Sequence, residues 1–233
     1  GYMKNNRAFT IDPVNFPNLP SLTSWLHGNG FHAVTILDPA IAVDSNYSVY
    51  QSGSASNLWV QTASGQPYQA TSTPGTSVWP DFTMPTARAW WSQLCGNFMT
   101  NGMDGLWIDM DEPSANNALT ALNTMPYDNW HRGGDGLPAG RHLMYHNIYG
   151  MLESLATYTG QLAANPNRRP FVLTRANFIG GQRYAATWTG DNVSTTNDML
   201  VSVPMSLTLG LSGQPFSGPD VGGFISNATP DLW

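Results

Sequence analysis

Residues 104–114, Asp-Gly-Leu-Trp-Ile-Asp-Met-Asp-Glu-Pro-Ser, carry three acids within four positions, Asp109, Asp111 and Glu112, at the end of an apolar run. Carboxylates are seldom buried without partners, so three of them at the mouth of a buried segment need a reason. Four more charged residues stand in the same relation to an apolar run. Asp38 follows Phe31 to Leu37, Arg175 follows Pro170 to Thr174, Asp191 follows Tyr184 to Gly190, and Asp220 follows Pro215 to Gly218. The same pattern has a structural reading for Asp111 and Glu112. Acids favour the first turn of a helix, and Pro113 suits its first position.

The chemistry such a set supports is narrow. The sequence has no Cys/His group at metal-ligand spacing, no GxGxxG after a strand and no P-loop. Neither a metal nor a cofactor is expected. That leaves paired carboxylates. Cleavage of a glycosidic bond needs two, one to protonate the leaving oxygen and one to attack or to activate water. The proton donor needs apolar or negative surroundings, which Asp191 gains from Trp188 and nearby acids. The attacking carboxylate must stay ionised, a state that Arg175 favours. Further acids can accept hydrogen bonds from sugar hydroxyls.

The elements that position these residues alternate. A helix over 21–27 places Leu22, Trp25 and Leu26 on one face and ends at Gly28 and Gly30. A strand over 31–37 follows. A helix over 86–99 repeats Trp90, Leu94 and Phe98, with Trp91 and Cys95 beside them, and Cys95 reads as a small core residue. The strand 105–110 comes next, then a helix over about 143–162 with Ile148, Leu152 and Leu155 on its buried face and His146 as a hydrogen-bonded structural histidine. Strands over 170–174, 184–190 and 215–218 follow, with a helix over 199–211 despite Pro204. Strand–helix alternation predicts a parallel sheet. Five runs ending in charge fit a (β/α)₈ barrel better than a doubly wound sheet. Long insertions interrupt the pattern at about 41–85, with short strands expected around Asn57 to Val60, and at about 115–140.

Composition narrows the partners. Charged residues are only 10% and the net charge is −6, which disfavours nucleic acid and anionic membrane. Aromatics reach 12%, with nine Trp, whose broad faces suit both a core and a sugar ring. One cysteine excludes an internal disulfide. No apolar stretch is long enough to span a membrane. The chain opens at Gly1-Tyr-Met-Lys and closes at Asp231-Leu-Trp, neither of which reads as a natural terminus. An excerpt from a longer protein is expected. Compartment is left open, with a secreted or lumenal one favoured, and oligomeric state is not given.

Trp107-Ile-Asp-Met-Asp-Glu-Pro-Ser114 resembles the nucleophile signature of glycoside hydrolase family 31, the α-glucosidase family, usually W-I-D-M-N-E-P-S. Val34-Thr-Ile-Leu-Asp-Pro-Ala40 resembles its strand before the substrate-facing loop. Arg169-Pro-Phe-Val-Leu-Thr-Arg175 and Gly181-Gln-Arg-Tyr-Ala-Ala-Thr-Trp-Thr-Gly-Asp191 resemble its acid/base segment, and Gly218-Pro-Asp-Val-Gly-Gly-Phe224 its G-A-D-x-x-G-F segment. The resemblance covers nearly the whole chain, in order. It implies a retaining α-glycosidase of the maltase type acting on α-glucoside oligosaccharides at their non-reducing ends. It also implies Asp109 as nucleophile and Asp191 as general acid/base. Arg175 and Asp220 would hold sugar hydroxyls, and Ile36, Trp107, Met110, Trp188 and Phe224 would line the pocket. α-Xylosidase, transglucosylase and a non-catalytic carbohydrate-binding member are the other readings.

The departures from the family pattern carry expectations of their own. Asp111 stands where Asn is usual, adding a negative charge beside Asp109 that should raise its pKa. Thr187 stands where His often precedes the Trp. Thr73-Pro-Gly75 stands for W-P-G, so a pocket Trp is absent or replaced by Trp79. The family's first acidic strand and its last R-x-H strand fall outside the chain, which holds about five of eight βα units. Alone, with open sheet edges, it is not expected to fold stably or turn over substrate.

Overall fold

A computed structural model describes residues 1–115 and 124–233. In chain order the elements are α1 (Leu19–Gly28), β1 (Val34–Leu37), β2 (Ile41–Ala42), α2 (Ser48–Ala55), β3 (Ala70–Ser72), β4 (Gly75–Val78), α3 (Pro85–Met99) and β5 (Gly105–Ile108). Then come β6 (Trp130–His131), β7 (Gly140–Arg141), α4 (His142–Tyr145), α5 (Tyr149–Ala164), β8 (Val172–Thr174), β9 (Ala186–Trp188), α6 (Thr196–Leu211) and β10 (Ser217–Gly218).

The organising sheet has five strands in the order β1-β5-β8-β9-β10, and every neighbouring pair is parallel. The strands follow one another across the sheet in chain order, with α-helices between successive pairs except β8 and β9, which a 3-10 turn at Gly181–Arg183 separates, and form one arc of a (β/α) barrel. Register pairs Leu37 with Ile108, Trp107 with Leu173, Thr174 with Thr187, and Trp188 with Gly218. Leu37 and Ile108 are fully buried. Their side chains pack towards the helices, so the alternate residues face the other side of the sheet. One step past the strand ends, the register sets Asp38 beside Asp109 and Asp109 beside Arg175. Asp109 N donates to Leu37 O at 3.1 Å, which continues the ladder to that level. At the other end of β5, Asp104 accepts from Ala33 N at 2.6 Å and lies 2.6 Å from Arg168 Nη2, tying down the amino ends.

The core fills the space between sheet and helices. α3 buries Trp91, Cys95, Phe98 and Met99; Trp91 Nε1 donates to Thr157 Oγ1 of α5 at 2.9 Å, and Phe98 packs on Tyr2 and Phe9. Cys95 is fully buried, as expected of a core residue. α1 begins two residues earlier than its apolar spacing indicates, because Asn18 caps it by accepting from Ser21 N at 3.0 Å. Its buried residues are Leu19 and Thr23, with Leu26 packed against the core beside them, whereas Leu22 and Trp25 are exposed, so only Leu26 of the expected face is turned inward.

Two other expectations are corrected. The helix over 143–162 is interrupted: α4 gives way to a 3-10 turn at His146–Ile148 before α5 begins, and the buried face of α5 centres on Leu152, Glu153, Ala156 and Thr157 rather than on Leu155. Around Asn57 to Val60 there is only an isolated bridge, Trp59 to Pro80. The strands of that segment are β2, β4 and β3, a three-stranded antiparallel sheet. Thr73-Pro-Gly75 forms the hairpin turn between β3 and β4, with Gly75 at φ 101°. Trp79 is fully buried in the core beside Tyr68, with ring centroids 5.5 Å apart.

Candidate active site

The site lies at the carboxyl ends of β1, β5, β8 and β9. Asp109 closes β5, and its Oδ1 accepts from Met110 N at 2.8 Å. Met110 adopts a left-handed conformation (φ 58°), uncommon for a side chain of its type and typical of functional turns. The turn sends successive side chains in different directions. The Glu112–Pro113 peptide is cis, residues 111–113 form a turn, and no helix starts at Pro113. The helix-start reading of these acids therefore fails.

Arg175, one residue past β8, is the hub. Its Nε lies 3.2 Å from Asp109 Oδ1 and donates to Glu112 Oε1 at 2.6 Å, and its Nη1 lies 3.5 Å from Asp191 Oδ2. Nη2 lies 3.5 Å from Glu112 Oε2 and 3.1 Å from Met110 Sδ. One guanidinium thus spans the acids at the ends of β5 and β9. Burial pushes Asp109 above the usual carboxylate range, and Arg175 opposes that push. Asp38 is pushed up to about 7, first by burial and then by Asp109, and its Oδ1 is buried without a hydrogen-bond partner among the described residues.

Of the aromatic residues singled out from sequence, Trp107 and Trp188 meet edge to face with centroids 5.4 Å apart. Trp107 Nε1 is buried without a hydrogen-bond partner among the described residues. Ile36 pairs with Trp107 across β1 and β5. Asp220 lies in the loop after β10, where burial and then Asp191 raise its pKa, and Asn192 Nδ2 donates to its backbone oxygen at 3.1 Å. Phe224 remains 63% exposed, tied to the loop after β9 through Phe224 N to Asn192 O at 2.9 Å. Thr187 is buried, accepting from Asn177 Nδ2 at 2.9 Å and donating to Gln214 Oε1 at 3.1 Å.

Asp111 departs from its expected role as a charge beside Asp109. It is fully buried and accepts from Thr174 Oγ1 at 2.5 Å. α5 presses on it: a Cβ on Gly150 would meet its Oδ2 at 2.7 Å. Burial pushes its pKa up to about 8, so it is largely protonated at neutral pH. A protonated carboxyl is close in shape to the amide it replaces and can donate as well as accept.

Sequence reasoning missed two features. Glu112 lies inside the motif but was given no task, and it holds Arg175. The second is a chain of histidines: His131 Nδ1 lies 2.8 Å from Asp81 Oδ1, His131 Nε2 lies 3.0 Å from His142 Nδ1, and His142 Nε2 lies 3.3 Å from His146 Nδ1. His146 is thus hydrogen-bonded, as its placement in the helical run predicts. With Asp81 accepting, the tautomers are fixed, each ring donating through Nδ1. Their spacing of 11 and 4 residues across an insertion gives no periodic signal. Among the described residues, no three His, Cys, Asp or Glu side chains are grouped to hold a metal ion, and no helix is long and apolar enough to cross a membrane.

A parallel sheet whose successive strand ends gather acids around one arginine is the catalytic face of a (β/α)₈ barrel. The sequence profile of the glycosyl hydrolases family 31 TIM-barrel domain matches residues 1–233, and the chain belongs to that family. It is 41% identical over 232 residues to alpha-glucosidase 2 of Bacillus thermoamyloliquefaciens, covering 99% of this chain and 29% of that protein. It is 40% identical over 233 residues to human neutral alpha-glucosidase AB, covering 97% of this chain and 24% of that one. Among solved structures, a family 31 alpha-glucosidase from Bacteroides thetaiotaomicron superimposes with a TM-score of 0.84 at 48% identity, covering 99% of this chain and 36% of the other. The chain therefore spans roughly a quarter to a third of the length of these relatives.

Proposed function

We propose that this chain carries both catalytic carboxylates of a retaining α-glycoside hydrolase that releases α-glucose from the non-reducing ends of α-glucosides. The observation that carries the reading is the Arg175 guanidinium in reach of Asp109 at 3.2 Å and Asp191 at 3.5 Å. Two carboxyl groups held by one side chain suit the short separation, roughly 5–5.5 Å, of a retaining pair. The names of the relatives, all alpha-glucosidases, favour glucose.

In this mechanism Asp109 attacks the anomeric carbon while Asp191 gives its proton to the departing glycosidic oxygen. Asp191, now a carboxylate, takes a proton from water, which attacks the anomeric carbon, breaks the Asp109 ester and restores the original configuration. Arg175 opposes the rise that burial imposes on Asp109 and so favours its ionised form. Arg175 and Asp220 hold sugar hydroxyls, and Ile36, Trp107, Met110, Trp188 and Phe224 line the pocket. Trp107 Nε1 and Asp38 Oδ1, buried and without a partner among the described residues, support this assignment, because a sugar hydroxyl satisfies such atoms. The whole of 1–233 belongs on this reading to one catalytic barrel domain, with insertions at about 41–85 and 115–140.

The test uses a polypeptide carrying the complete barrel. It should hydrolyse p-nitrophenyl α-glucoside faster than the α-xyloside, and proton NMR should show the α-anomer released first. Release of the β-anomer refutes retention. No hydrolysis together with sugar binding means a non-catalytic member, and preference for the xyloside or for transfer to a second sugar selects the other enzymatic readings.

A further inference from the structure

Glu112 has no place in the mechanism above, yet it is the closest partner of Arg175. Its Oε1 accepts from Nε at 2.6 Å, and its Oε2 lies 3.5 Å from Nη2. The same Nε lies 3.2 Å from Asp109 Oδ1, and Nη1, away from the Glu112 edge, lies 3.5 Å from Asp191 Oδ2. A guanidinium is flat and rigid, so a partner that fixes one edge fixes the direction of every other N–H. The left-handed turn at Met110 brings Glu112 to that edge while Asp111 is carried into the core. Met110 Sδ, 3.1 Å from Nη2, closes the same side.

We propose that Glu112 is a positioning residue that clamps Arg175 in the orientation from which it reaches both Asp109 and Asp191. This rests on the reading of those two acids as nucleophile and acid/base. Among the described residues, the charged and titratable groups that act on Asp109 are Arg175 after β8, Asp191 after β9, Asp38 after β1, Glu153 on α5, and Glu112 and the buried Asp111 on its own turn. On Asp109, the downward pull of Arg175 exceeds the upward push of Glu112. Removing the charge of Glu112 while keeping the clamp therefore has one sign, and releasing Arg175 has the other.

The experiment measures kcat/KM against pH for p-nitrophenyl α-glucoside, in the complete-barrel polypeptide and its Glu112 variants, with thermal melts alongside. Glu112→Gln keeps an acceptor for Nε and loses the charge, so the acidic limb should move to lower pH, with the maximum within about tenfold of the unaltered protein. Glu112→Ala frees the guanidinium, so the acidic limb should move to higher pH and kcat/KM should fall on the order of 10²-fold, the scale of a small misplacement of a reacting group. Glu112→Asp keeps the charge but is too short to clamp. It should follow Ala in direction, and it decides the matter if the Ala variant fails to fold. Limbs that superimpose on the unaltered profile, or that move down in all variants, overturn the clamp while leaving the catalytic reading intact. An unaltered protein that hydrolyses nothing overturns both.

Discussion

Asp109 and Asp111 are two residues apart and meet opposite fates. If Asp109 is the nucleophile, Asp109→Ala in the complete-barrel polypeptide should abolish hydrolysis, and azide should restore part of it as a β-glycosyl azide, because Asp191 remains to assist departure. Equal loss without rescue in Asp111→Asn and Asp109→Ala would undo the assignment. Asp111 instead governs stability. Its pKa rises from 3.8 to about 8 on folding. Between those values the unfolded chain releases the proton and the folded chain keeps it, so stability falls as pH rises across that window. Asp111→Asn removes the cost and should stabilise the fold above pH 8 by on the order of 5 kcal/mol at most, at about 1.4 kcal/mol per pKa unit. Urea unfolding at pH 5 and pH 8 checks it: the two proteins should converge at the lower pH. Glu153, fully buried on α5 and raised in the same direction, adds to the slope in both. Asp109 was legible because it closes an apolar strand. Asp111 was not, since only the left-handed backbone at Met110 turns it inward, and a Met carries no signal for that conformation.

At the level of elements, α3 and α5 owe their close approach to glycine. A Cβ on Gly160 would meet Ser92 O at 2.3 Å and Cys95 Cβ at 2.9 Å. Both are parts of a packed helix face, so the helices must separate. Gly160→Ala should cost about 1–3 kcal/mol, the range for overpacking, despite its better helix propensity. An unchanged melting temperature would show that the pair has slack. The five parallel strands were readable because each is a short apolar run closed by a charge. Their ends were overestimated, since flanking residues continue the apolar composition without ladder partners. The break at His146–Ile148 was hidden because the apolar spacing runs through it. There the ring contacts among His131, His142, His146 and Tyr127 override helical continuity. The β3–β4 hairpin was missed because its strands are polar, although Thr-Pro-Gly between them is a turn signal.

At the scale of the molecule, β1 and β10 each have one neighbour in the sheet. On α6, Leu200, Val203, Leu207 and Leu211 form an exposed stripe at helical spacing, and Leu211 is 92% exposed. Patches of that kind bind other apolar surfaces. The 233-residue chain by itself should bind an apolar dye and elute above its monomer mass of 25.3 kDa, whereas a polypeptide carrying all eight strands should do neither. A dye-silent monomer would show that the arc closes its own edges. The position of the open edges has a further use. Asp109, Arg175 and Asp191 follow the interior strands β5, β8 and β9, each at least one strand from either edge. A chain boundary beyond β1 or beyond β10 therefore cuts no contact of that hub, and the two open ladders are templates for reassembly. Co-expressed with the remaining barrel segments as separate chains, this piece should restore glucosidase activity by complementation, as a split enzyme whose output reports the meeting of its parts.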